Sequence, residues 1–149
     1  MNTIPHWFDS NRVIKVDNEH VDWVRVIPFF ALHLAVLAVF WVGVSPIAVV
    51  VAIASYLVRI FAITAFFHRY FAHKAFDAGR TVQFIFAILG ASATQRGPLW
   101  WAAHHRAHHR ASDGDADPHN ARRGLWWSHI GGFLSNSNFR TRTELVRDW

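Results

Sequence analysis

The sequence predicts an all-α integral membrane protein: a two-span helical hairpin, an interfacial helix and a histidine-rich cytosolic region. Three observations lead there. Val26 to Phe67 is an apolar run of 42 residues in which Arg59 is the only Lys, Arg, Asp or Glu. That run is broken once, at "VGVSP". Beyond it the character reverses, and eleven of the fifteen basic residues fall between Arg69 and Arg147.

Residues 1–25 are polar, with aromatic side chains at Trp7, Phe8 and Trp23. They lack the apolar core of a signal peptide and read as a surface segment near a membrane interface. A membrane helix needs about 20 mostly apolar residues to cross about 30 Å of hydrocarbon. The apolar run is long enough for two, roughly 26–44 and 46–67, and Gly43, Ser45 and Pro46 supply the turn between them. The alternative is a pair of buried helices in a soluble core, but soluble helices rarely stay apolar on every face for this long. A short uncharged turn returns the chain to the side it left. The basic back half then lies with the N-terminus, and the positive-inside rule puts both termini in the cytoplasm.

Two polar residues interrupt the apolar run. Intramembrane ionisable groups are functional suspects. Here a neutral His33 bonded to a neighbouring helix, and an Arg59 that snorkels or sits on a helix extension, suffice. The dozen mostly apolar residues from Val82 are too few to span and read as an interfacial or re-entrant helix. The region 68–149 forms the cytosolic part. Its net positive charge needs no nucleic acid: the arginines interleave with histidines and acids and mark no groove or aromatic platform.

The chain has eleven histidines and no cysteine. Thiolate zinc sites, iron–sulfur clusters, disulfides and cysteine nucleophiles are thereby excluded, and any metal must take nitrogen and oxygen ligands. In "HHRAHH", His105, His108 and His109 stand at i, i+3 and i+4 and share one helix face. His104 points about 100° away from His105 and falls outside the set. In "HRYFAH", His68 and His73 are five apart, about 140° on a regular helix. They can serve one site by straddling a helix end, or by approaching different sides of a two-metal centre. A pH switch needs only titration near neutrality and leaves the spacing unexplained. Imidazole suits zinc, copper, iron and nickel alike. Five histidines exceed what one zinc requires and argue for two ions.

"HRYFAHKAF" and "HHRAHHRASDGDADPHNARRGLWWSHIGG" together resemble the membrane-bound fatty acid desaturases, in their delta-9, stearoyl-CoA-desaturase-like branch. His68-Arg69 to His73 matches the first box, H-R-x-x-x-H. His105, His108 and His109 match the second, H-x-x-H-H. Asp117 to Asn120 match D-P-H-N, and Ser128 to Gly131 match S-H-x-G. The lead-in "PLWWAAHHR" is similar to bacterial members, and the resemblance runs from about residue 20 to the end.

The resemblance implies the N-terminal half of a four-span helical enzyme with a cytosolic di-iron centre. Such an enzyme uses O2 and two electrons to insert a cis double bond into a saturated acyl chain. By this match His68, His73, His105, His108 and His109 are iron ligands. Arg69, Arg106, Asp117, His119 and Asn120 are outer-shell groups that orient them. A Pro-containing turn with an Asx-type bond is a compatible role for Asp117 to Asn120. The implied partners are a fatty acyl substrate, membrane lipid and an electron donor of cytochrome b5, ferredoxin or rubredoxin type.

Two departures stand out. The family's third box and second pair of spans have no counterpart after "TELVRDW", so the sequence reads as a desaturase truncated before that box and inactive alone. Where animal acyl-CoA members carry Arg-Asp before the second box, this chain has Ala103 and His104. Where they carry a basic pair after S-H-x-G, it has Asn136 and Ser137. The acyl carrier is therefore open among CoA, a carrier protein and a lipid. Two other functions fit the boxes: a non-catalytic membrane metal-binding remnant, and a related lipid or alkane hydroxylase.

Overall fold

The computed structural model describes His20, Val21 and residues 23–149. The expectation of an interfacial segment over residues 1–25 therefore lies mostly outside the described residues. Among these residues every regular element is helical, and the one β-type pairing is an isolated antiparallel bridge between Val21 and Ser135. Two compact units are present. One comprises Ile27–Ala102, and the other comprises Ala103–Trp149 with the described residues before Ile27.

α1 (Trp23–Ala35) begins before Ile27 and runs through a 3-10 turn at Val36–Ala38 into α2 (Val39–Val42). The apolar helix Val26–Val42 thus stays shorter than a full span. Gly43 ends it at φ 73°, a conformation glycine takes without a Cβ penalty. Ser45 then caps α3 (Pro46–Phe61): its Oγ accepts from the Ala48 N–H at 3.1 Å. Pro46 follows at the first helical position, where its missing N–H costs nothing. The break read from "VGVSP" is therefore observed, with the chemistry that predicts it.

The helix does not stop at Phe67. It continues from Ala62 to Ala72 as a π-helix, giving one rod of 27 residues, Pro46–Ala72, whose most apolar 18-residue window has a mean hydropathy of 2.3. This helix is long and apolar enough to cross a membrane, and only 11% of its most apolar window is buried. A core helix of a soluble protein would be mostly covered, so exposure of this kind favours membrane association. His33 and Arg59 behave differently from expectation. The His33 ring Nδ1 donates to the Phe29 carbonyl of its own helix at 2.7 Å, not to a neighbour. Arg59 Nε donates to Ser92 Oγ at 3.1 Å, which holds the guanidinium at the end of the next helix.

That next helix, α4 (Arg80–Ala91), packs against the π-helical stretch. Phe66 and Phe86 stack at 3.8 Å, and Phe61 and Phe76 meet them edge-on. Phe67 is fully buried against Gly90, where a Cβ would fall on its ring. Burying an aromatic side chain is worth roughly 1.5–3 kcal/mol. This aromatic layer is what fixes the backbone that carries His68.

Candidate metal centre

Each unit holds a histidine constellation. In the first, the π-helical backbone decides the geometry. His73 N–H donates to the His68 carbonyl at 3.1 Å, an i→i+5 bond. Residues five apart are then one turn apart, and the two rings lie 4.7 Å from each other. The expected divergence of about 140° assumed 3.6 residues per turn; the observed winding removes it. π-helical turns are rare and occur frequently at functional sites. Trp101 packs on the same histidine, with 6.1 Å between ring centres, and also contacts Phe67. Sequence reasoning did not single out Trp101. Arg69 is exposed.

The second constellation is built on α5 (Pro98–Ala111). Ala103, His104 and Ala107 occupy its buried side. His105, His108 and His109 lie on less covered positions, and His109 is exposed. His104 is thus packed into the interior of its unit, 6% exposed. The Nε2 atoms of His105 and His109 are 3.0 Å apart. One ring nitrogen donates its proton to the other. Both rings also sit in the last turns of α5, where the helix dipole favours positive charge.

His108 is oriented from behind. Its Nδ1 donates to Asp117 Oδ2 at 2.9 Å. The Asp117 side chain is completely buried and also accepts from the Asp113 N–H at 2.9 Å and the His119 N–H at 3.0 Å. Burial pushes the Asp117 pKa upward. The two backbone donors and the His108 ring outweigh it, so the carboxyl is held below its ordinary value. The bond to Nδ1 leaves His108 Nε2, which meets Ser112 Oγ at 3.4 Å, as the ring's outward-facing ligand atom, the arrangement that orients metal-bound imidazoles. His119 stacks on His108 at 4.2 Å, and the ligand atoms of His108, Asp117 and His119 all lie within 4.8 Å of one another.

The loop that delivers Asp117 is itself braced. Asn120 Nδ2 donates to the Gly114 carbonyl at 2.8 Å, and its Oδ1 accepts from Arg122 N–H at 2.8 Å. Asn138 Nδ2 donates to the carbonyls of Pro118 and Gly132, at 3.1 and 2.8 Å. Gly132 sits so close that a Cβ there would meet the Pro118 oxygen at 2.5 Å. Asp117 therefore makes its Asx-type turn and holds His108 at once. Arg106 points elsewhere: it grips Asp148 through both nitrogens, at 2.7 and 3.1 Å, and the Leu145 carbonyl at 2.7 Å. Asn136 is buried and paired with His20, so it offers no exposed polar pair in the position noted above.

The donor set fits a metal of intermediate hardness. It presents imidazole nitrogens in pairs, one carboxylate behind a ring, and no thiolate.

No family model matches the chain. Among curated proteins it is similar to a probable acyl-CoA desaturase of Schizosaccharomyces pombe, 34% identical over 81% of this chain and 26% of the relative. It is similar to an sn-1 stearoyl-lipid 9-desaturase of Anabaena variabilis, 37% identical over 78% of this chain and 44% of the relative. Human stearoyl-CoA desaturase 5 is 34% identical over 76% of this chain and 35% of the relative. The chain thus spans less than half the length of these relatives.

Proposed function

This chain belongs to the fatty acid desaturase family, and we propose that it takes part in oxygen-dependent insertion of a cis double bond, of the delta-9 type, into a saturated fatty acyl chain. The observation that carries this reading is the similarity itself: more than a third of residues identical to a 9-desaturase over 78% of the chain. His68, His73, His105, His108 and His109 would hold two iron ions, with Arg69, Arg106, Asp117, His119 and Asn120 around them.

Bound iron would supply the dioxygen chemistry that removes hydrogen from an unactivated methylene, with electrons from a cytochrome b5-, ferredoxin- or rubredoxin-like partner. The chain's own residues set the stage for it. Asp117 keeps the His108 proton on Nδ1, and the buried turn around Asn120 keeps Asp117 in place. Precise positioning of the acyl methylene governs rate and regiochemistry. The substrate is a fatty acyl group on CoA, a carrier protein or a lipid.

Val26–Val42 and Pro46–Ala72 form the membrane hairpin in this reading, and α4 lies at the interface. Both termini and the box histidines face the cytoplasm, which the basic bias of the back half supports. Five imidazoles leave two irons short of ligands, so this 149-residue chain should not desaturate alone.

The test is a chimera expressed in a desaturase-deficient host. The matching segment of the Anabaena stearoyl-lipid 9-desaturase is replaced by this chain. Recovery of monounsaturated acyl groups, lost again with His108→Ala, is expected; the chain alone should yield none. Hydroxylated acyl groups from the chimera would favour the hydroxylase reading. A stably expressed chimera without product, beside an active parent, would contradict desaturation.

A further inference from the structure

We propose that the segment Arg122–Trp126 docks onto an anionic bilayer surface, with Leu125 and Trp126 entering the interface and Arg122 and Arg123 meeting lipid phosphates. The inference rests on the reading of this chain as a membrane protein, and adds a second membrane contact outside its apolar helices.

Four observations carry it. Leu125 is 76% exposed and Trp126 61% exposed, side by side in sequence. Arg122 and Arg123 lie one residue upstream of them and are also exposed. Gly124 separates the two pairs at φ 94°, a positive-φ conformation that favours glycine, between a one-turn helix and the next element. Finally, residues 118–143 contain four arginines and no Asp or Glu. Adjacent apolar, tryptophan and arginine side chains match the layered chemistry of a bilayer interface: acyl boundary, headgroup level, phosphate. Arg123 lies 3.4 Å over the Trp127 ring, which lets its charged head sit beside apolar surface.

Charge complementarity selects the occupant. A second copy laying the same patch against this one about a two-fold axis would bring four arginines together. An anionic lipid surface attracts them, by a factor of about five in partitioning for each arginine near the surface.

The absence of cysteine makes a direct test possible. Single cysteines replacing Leu125, Thr143 or Val51 in the full chain are spin-labelled, and the chain is reconstituted in bilayers with anionic lipid. Accessibility to oxygen and to an aqueous nickel reagent is then measured. The Leu125→Cys label should be reached by oxygen and shielded from nickel, as at Val51→Cys, while Thr143→Cys stays open to nickel. Neutral bilayers, or Arg122→Gln and Arg123→Gln, should lower the docked fraction, about fivefold per arginine. A Leu125→Cys label open to nickel while Val51→Cys is shielded overturns the docking and leaves the membrane reading intact. Nickel access at both positions overturns both. A label shielded from nickel and oxygen alike means that protein covers the patch, and also overturns the proposal.

Discussion

Replacing Asp117 by Asn separates orientation from bulk, because the two side chains are nearly isosteric. The carboxylate accepts three hydrogen bonds: two at Oδ2, from His108 Nδ1 and Asp113 N–H, and one at Oδ1, from His119 N–H. An amide keeps one acceptor oxygen and turns an NH2 group toward N–H donors at the other position. At least one buried donor is then left unmet, a cost of roughly 1–3 kcal/mol. The metal consequence is separate. Loss of an outer-shell carboxylate behind a ligating imidazole typically costs 10–100-fold in affinity. The assay is titration of purified chain with Fe(II) against a competing chelator, paired with thermal unfolding. Weaker metal binding and a lower midpoint are expected together. The variant should also lose an acid-side effect. Because the folded Asp117 pKa is depressed, its stabilisation is complete above the unfolded value of about 3.9 and disappears as pH falls through the lower folded value. Unchanged affinity and an unchanged midpoint in Asp117→Asn would refute the claim that this carboxylate orients His108.

Other positions give sharper local outcomes. Phe67→Ala should destabilise the chain by about 3–5 kcal/mol, read by chemical denaturation, because its ring is fully buried against Gly90. Gly132→Ala should cost about 1–3 kcal/mol, since the new Cβ meets backbone that cannot swing aside. Gly97→Ala has open space and should be neutral or mildly stabilising in the same assay, by up to about 1 kcal/mol. Arg106→Met should release residues 143–149 to limited proteolysis, because the Asp148 pair and the Leu145 carbonyl bond both depend on the guanidinium.

Much of this was legible in the sequence, for reasons that differ between elements. The helix start at Pro46 was readable because Ser-Pro chemistry is local. The α5 face was readable because i, i+3, i+4 spacing needs only a regular helix. The pairing of His68 with His73 was not, since it depends on a π-helical winding. That winding is accompanied by the packing of Phe66 and Phe67 against Phe86 and Gly90, and long-range packing of that kind leaves no trace in spacing. The end of the long helix was missed for the same reason: "HRYFA" is polar enough to suggest a boundary, yet Tyr70, Phe71 and Ala72 are buried. Asp117 was legible as an Asx turn, and its grip on His108 only from the match to D-P-H-N. Arg106 shows the limit of adjacency in sequence: it lies between ligand candidates and serves the tail.

The claim at the centre is that the box histidines are iron ligands. X-ray absorption at the iron edge, on chain loaded with Fe(II) and on single variants, addresses it without any need for turnover. Nitrogen-rich ligation should be found, retained in His104→Gln and diminished in His105→Gln, His108→Gln and His109→Gln. Identical spectra and iron content across all four variants would contradict the account.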